Sequence, residues 1–263
     1  MSDGTGNPMV GPPKAATPAA TPGVTPAATL GVTPILQAIG LTKSFTIHQL
    51  DRHITGCTDV SITINPGEFV GITGRSGSGK STVLKLIYRT YLPQEGTIRY
   101  DSARFGQIEL SSADERTILY LRRHEIGYVS QFLHVIPRTT AREIVETAVL
   151  ETGADAEAAR AETERILAHF ELDRELWDSF PNTFSGGEKL RLNIARAMVK
   201  KPRLLLLDEP TASLDAHTKG RVRELIEQLK SAGTTMLGIF HDLEFMGGLC
   251  DKEYSMSLGS FTA

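Results

Sequence analysis

The chain has 263 residues, a formal net charge of −3 and a pI near 6.2, enough length for one or two domains with a core of ordinary size. That slightly acidic balance argues against a nucleic-acid partner held by bulk charge. No run approaches the roughly 18 apolar residues of a membrane span, the N-terminus lacks a basic stretch followed by an apolar one, and Cys57 and Cys250 match no metal or redox spacing. The expectation is a cytoplasmic protein with reduced thiols, no nucleic acid and no direct membrane insertion.

Residues 1 to 34 carry seven prolines (Pro8, Pro12, Pro13, Pro18, Pro22, Pro26 and Pro34) separated by Ala and Thr. Almost no large apolar side chain is there to bury, so the entropy of ordering is not offset, and a disordered, partly polyproline tail is expected. Folded sequence starts near Ile35. Residues 35–41 and 58–64 alternate like strands, and Asn65-Pro66-Gly67 signals a turn, so an antiparallel β region is expected here. Phe45 lies between those strands and is either a core residue or a platform for a purine ring.

Glu68-Phe69-Val70-Gly71-Ile72-Thr73 reads as a buried strand entering Gly74-Arg75-Ser76-Gly77-Ser78-Gly79-Lys80-Ser81-Thr82. The nonapeptide fits G-x-x-x-x-G-K-[ST], the P-loop pattern, and residues 81–88 leave it with helical spacing. Its glycines let backbone N–H groups approach a phosphate, and the helix N-terminus adds its dipole. Lys80 supplies a mobile charge for the β- and γ-phosphates of ATP, and the Ser81 hydroxyl is placed for Mg²⁺.

Tyr91-Leu92-Pro93-Gln94-Glu95-Gly96 breaks that helix, and 97–100 and 126–130 are short strands. The second ends at Gln131, where a polar side chain can reach Mg²⁺ or water. Thr140-Ala141-Arg142-Glu143 is a capping box opening a helical block. A second helix spans residues 156–170, and Trp177 and Phe180 are expected as core anchors. Ser185-Gly186-Gly187-Glu188 is another capping box, but it places two glycines in a first helical turn, where each costs roughly 1 kcal/mol. As a phosphate-seeking helix N-terminus, those glycines make sense.

Arg203-Leu204-Leu205-Leu206-Leu207-Asp208-Glu209-Pro210 has no period-2 alternation, as a central parallel strand covered on both faces should. Its two terminal acids need a cation or water to satisfy them. Asp208 fits an Mg²⁺ ligand and Glu209 a base beside the γ-phosphate. Residues 234–240 form a further strand ending at His241, placed to read the γ-phosphate. The last strand is expected near 253–258.

Together these motifs resemble the ABC family of ATPases over nearly all of residues 35 to 258. Gly74 to Thr82 matches Walker A, Gln131 the Q-loop, and Phe184-Ser185-Gly186-Gly187-Glu188 the signature. Leu204 to Glu209 matches Walker B, Ser213-Leu214-Asp215 the D-loop, His241 the switch histidine, and Phe45 the adenine-stacking aromatic. Phe184 and Glu188 depart from the family's commoner leucine and glutamine. The resemblance implies an α/β fold with a RecA-like parallel-sheet core, an antiparallel β subdomain and a helical signature subdomain at about 132–200. It also implies a head-to-tail dimer, homo or hetero, with ATP closed over by Ser185, Gly186, Gly187 and Glu188 of the other subunit. Tyr91 to Gly96, Val129 to Arg138, Thr183 to Glu188 and Gly238 to Asp242 are similar to the PhnL family of the carbon–phosphorus lyase pathway. That similarity implies soluble lyase subunits or a second ABC-type subunit as partners. The partner surface would follow the Q-loop at Phe132, Leu133, Val135 and Ile136. Alternatives are the ATPase of a membrane transporter of the lipoprotein-export type, or a nucleotide-gated assembly factor.

Overall fold

Alternating apolar residues build a long first strand, β1 (Leu36–Ile47), which pairs antiparallel with β2 (Arg52–Ile64) on one side and β4 (Glu95–Ser102) on the other. The computed structural model describes residue 1 and residues 33–47, 52–130, 133, 137–212 and 214–262. The expected tail, apart from Met1, Thr33 and Pro34, lies outside the described residues, as do Gln131, Phe132, Val135, Ile136 and Ser213. β5 (Gly106–Glu109) completes a four-stranded sheet in the order β2-β1-β4-β5.

A second sheet has the order β10-β9-β3-β8-β7-β6, with β3 (Phe69–Thr73), β6 (Ile126–Val129), β7 (Leu204–Asp208), β8 (Thr235–Ile239), β9 (Lys252–Ser257) and β10 (Ser260–Thr262). All its pairings are parallel except β9 with β10. The expectation for the leucine run holds: every residue of β7 is buried. Leu204 and Leu206 face a core shared with the first sheet and with α1 (Lys80–Ile87). Leu205 and Leu207 face the core of α3 (Ala141–Leu150), α4 (Ala156–His169), α5 (Gly186–Met198) and α6 (Ala216–Ser231). This two-sided cover is why the strand needs leucine at consecutive positions.

Four elements had no reading in the sequence: β5, α2 (Glu115–His124), α7 (Leu243–Met246) and β10, which follows the strand expected to be the last. α2 buries only Ile118 and Leu121, too few to mark a period. Phe180 is a correction. It stands at the entry to a short 3-10 turn, Pro181–Thr183, and is 46% exposed, whereas Trp177 is 3% exposed and its Nε1 donates to the Leu172 carbonyl at 2.8 Å. The indole alone anchors that connection.

Cys57 and Cys250 are free, and burial pushes their thiols up to about 11 and about 12. Thiolate forms only as pH rises through those values, so at pH 8 both are expected to react with a disulfide reagent at least about tenfold more slowly than free cysteine. Labelling of the native protein at the free-thiol rate would contradict this burial.

Candidate functional site

Because β3, β6, β7 and β8 run parallel, their carboxyl ends meet at one edge, and the loops leaving them carry the polar residues. The register is tight there: Ile239 pairs with both Ile72 and Asp208, and the Glu209 amide donates to the Ile239 carbonyl at 3.2 Å.

The loop after β3 turns through Gly74, Gly77 and Gly79, all at positive φ. Gly79 caps α1 at φ 103, and a Cβ there would collide with the Gly56 carbonyl oxygen. No other residue type fits both demands. Gly79→Ala is therefore expected to destabilise the protein by more than about 2 kcal/mol; an unchanged urea midpoint would contradict the packing. Lys80 is buried, and its Nζ donates to the carbonyls of Gly74 at 2.8 Å and Arg75 at 2.9 Å, bracing the loop. Burial lowers its pKa, against the pull of Glu209 and Asp208, so the ammonium is short of solvent. The Ser78 hydroxyl is buried without a hydrogen-bond partner among the described residues. An orphaned donor, a desolvated cation and an N-terminal helix end at one loop fit a phosphate chain. Arg75 and Ser76 are exposed at the tip, and Thr82 follows in the first turn of α1.

Across from this loop, Ser81 Oγ donates to Asp208 Oδ1 at 2.9 Å. Side chains alternate along β7, so Asp208 shares a face with Leu204 and Leu206 and points to α1 rather than to the helical block. Among the described residues no group of three or more His, Cys, Asp or Glu converges on one point. A hydroxyl and a single carboxylate suit Mg²⁺, which completes its shell with nucleotide oxygens and water. Glu209 has φ 54, uncommon outside glycine, which turns its carboxylate off the strand axis. Its Oε1 shares a 2.6 Å hydrogen bond with His241 Nε2. Of the three expected catalytic side chains, Glu209, His241 and Gln131, the first two, 32 residues apart in the chain, thus touch.

Phe45 packs its ring edge-on to Tyr91, with centroids 5.1 Å apart. A Cβ on Gly56 would lie 2.8 Å from that ring and 2.9 Å from the Thr82 methyl, so the phenylalanine sits beside the start of α1. Asp215 caps α6, accepting from the Thr218 amide at 2.9 Å, and this bond holds its carboxyl below the usual range.

Ser185 and Glu188 form the expected capping box: the Ser185 amide donates to Glu188 Oε2 at 2.7 Å, and the Glu188 amide to Ser185 Oγ at 3.3 Å. The glycines between them also have a packing reason. A Cβ on Gly186 would come within 2.7 Å of Leu214, and one on Gly187 within 2.6 Å of Thr218. The signature turn is thus pressed against the turn that opens α6. It lines a cavity with His169, Arg191 and His217 that includes no residue of the Gly74 to Thr82 loop.

Sequence reasoning missed Tyr128. Its hydroxyl donates to Asp208 Oδ2 at 2.6 Å, and burial first, then that bond, raise its pKa. Its position next to last in β6, two residues before the polar Ser130 that follows the strand, is the signal that could have found it.

Residues 57–212 match the ABC transporter family. The chain is 34% identical over 228 residues to the lipoprotein-releasing system ATP-binding protein LolD of Alcanivorax borkumensis, covering 86% of this chain and 96% of that one. It is 35% identical over 215 residues to the macrolide export ATP-binding/permease protein MacB of an Azoarcus species, 81% of this chain but only 31% of that relative's length. Its structure is similar to the dimeric ATP-binding cassette MJ0796 bound to ADP and Pi, with a TM-score of 0.78, 30% identity and coverage of 87% and 97% of the two chains.

Proposed function

The chain belongs to the ABC transporter family, and on that premise we propose that it is an ATP-hydrolysing subunit that closes head-to-tail with a second cassette and passes the closure to a partner protein. The carrying observation is the division of polar parts: the loop at Lys80, Asp208 and the Glu209–His241 pair share one sheet edge, while Ser185, Gly187 and Glu188 line a separate cavity. A second copy would supply the missing wall, and the dimeric MJ0796 cassette supports that reading.

In this mechanism the loop amides, Ser78 and Lys80 hold the phosphates. Mg²⁺ bound with ATP would add positive charge at the phosphate oxygens, with Ser81, Asp208 and Gln131 as the residues that hold it. Glu209 takes a proton from the attacking water, and His241 fixes the carboxylate for that task. Phe45 offers its ring to the adenine, and the N-terminus of α5 from the second copy faces the γ-phosphate. Asp215, at the start of α6, would contact the second cassette, a role the family resemblance extends to Ser213.

Two partners are compatible with this motor. LolD and MacB, by their names, act in lipoprotein release and macrolide export, which supports a membrane transporter subunit here. A second reading, a subunit of the carbon–phosphorus lyase pathway, rests on the resemblance of the strings around Leu92, Ser130, Phe184 and Phe240 alone. There it would assist formation of α-D-ribose 1-methylphosphonate 5-triphosphate from ATP and methylphosphonate. A pull-down from the source cells grown on a phosphonate as sole phosphorus source, with Mg-ATP and mild detergent, separates them. Integral membrane proteins on the beads support transport; soluble phosphonate-pathway proteins alone support the lyase reading, and other soluble proteins support an assembly factor.

A further inference from the structure

We propose that Tyr128 is a positioning residue whose hydroxyl sets the Asp208 carboxylate for a divalent cation, an inference that rests on the ATPase reading above. Both oxygens of Asp208 are engaged, Oδ1 by Ser81 at 2.9 Å and Oδ2 by Tyr128 at 2.6 Å. The second distance is that of a charge-assisted O–H···O⁻ bond. With both oxygens tied, the carboxylate cannot rotate freely about its own axis. The phenol is fixed in turn. β6 pairs with β7 so that Tyr128 stands opposite Leu206, one alternation short of Asp208 on the same face. The ring lies 4.8 Å from that of Tyr88, and Arg122 covers Tyr88 at 4.6 Å while its Nε donates to the Tyr88 carbonyl at 3.0 Å. The chain of support therefore runs from α2 through the end of α1 to β6 and so to the carboxylate. Groups that orient a metal ligand in this way typically change metal affinity about 10- to 100-fold when removed.

A phenol that merely satisfies itself on the nearest acceptor would affect stability and leave metal affinity alone. The test uses the full chain in a Glu209→Gln background, with Mn²⁺ replacing Mg²⁺, ATP held below the protein concentration so that no free nucleotide chelates the metal, and free Mn²⁺ read by electron paramagnetic resonance. Tyr128→Phe is expected to weaken Mn²⁺ binding about tenfold while metal-free ATP affinity stays within about twofold, because Tyr128 lies on β6, outside the Gly74 to Thr82 loop. Unchanged Mn²⁺ affinity overturns the proposal. If the parent chain binds no Mn²⁺ with ATP, the ATPase reading fails first and takes this inference with it. If Tyr128→Phe does not fold, Tyr128→Gln is compared with Tyr128→Leu. Tighter Mn²⁺ binding by the glutamine variant, which keeps an N–H donor without adding an imidazole ligand, supports positioning, and equal binding overturns it.

Discussion

Glu209→Gln is expected to lower ATP turnover by about 10²- to 10⁴-fold, the usual contribution of a general base, while leaving ATP binding intact. The exchange keeps the size of the side chain and its ability to accept from His241 Nε2, now 2.6 Å away. It removes only the charge that would take a proton from water. Loss of that charge also relieves repulsion toward the γ-phosphate, so the variant should persist as a closed dimer in saturating Mg-ATP. Light scattering behind size exclusion reads the dimer, and phosphate release reads the turnover. Turnover equal to the parent's would remove Glu209 from the chemistry and favour an assembly factor whose hydrolysis is incidental. A monomer under the same conditions would count against a homodimer and leave a second ABC-type subunit as the partner.

Lys80→Ala is expected to weaken ATP binding by about 100-fold or more, about 2.7 kcal/mol. The side chain does two jobs at once. Its ammonium is the buried cation of the loop, short of solvent and flanked by Asp208 and Glu209, so an arriving phosphate restores the charge environment that burial removed. Its bonds to the Gly74 and Arg75 carbonyls also hold the loop open in the shape a phosphate would enter. Charged hydrogen bonds of this sort are worth about 1.5–3 kcal/mol each. Lys80→Arg should not rescue binding, since a planar fork cannot occupy the place of a point charge between two carbonyls. Titration with a fluorescent ATP analogue measures both variants, and an unchanged affinity for the alanine variant would sink the phosphate assignment.

Most of the site was legible because its residues follow one another along short strings. Strand, glycine loop and helix from Glu68 to Tyr88 could be read without knowing any partner segment, since phosphate binding by a loop is a local property of backbone geometry. The leucine run ending at Asp208 was legible for a related reason: a strand buried on both faces must be apolar at every position, and acids at its end are conspicuous. Phe180 misled because an aromatic residue near a helix start looks the same in sequence whether its turn faces the core or solvent. The turn Pro181–Thr183, entered at Phe180, decided that.

The sequence by itself determined the order of the polar motifs, the parallel core and the chemistry each motif could carry, because helix caps, glycine turns and apolar periods act over a few residues. Only the tertiary structure decided which of them meet. The contact of Glu209 with His241, the grip of Ser81 and Tyr128 on Asp208, and the seating of Gly186 and Gly187 against Leu214 and Thr218 join residues far apart in the chain. Those pairings are set by strand register and by the alternation of side chains across a sheet, and register is fixed by the whole packed core rather than by any one segment.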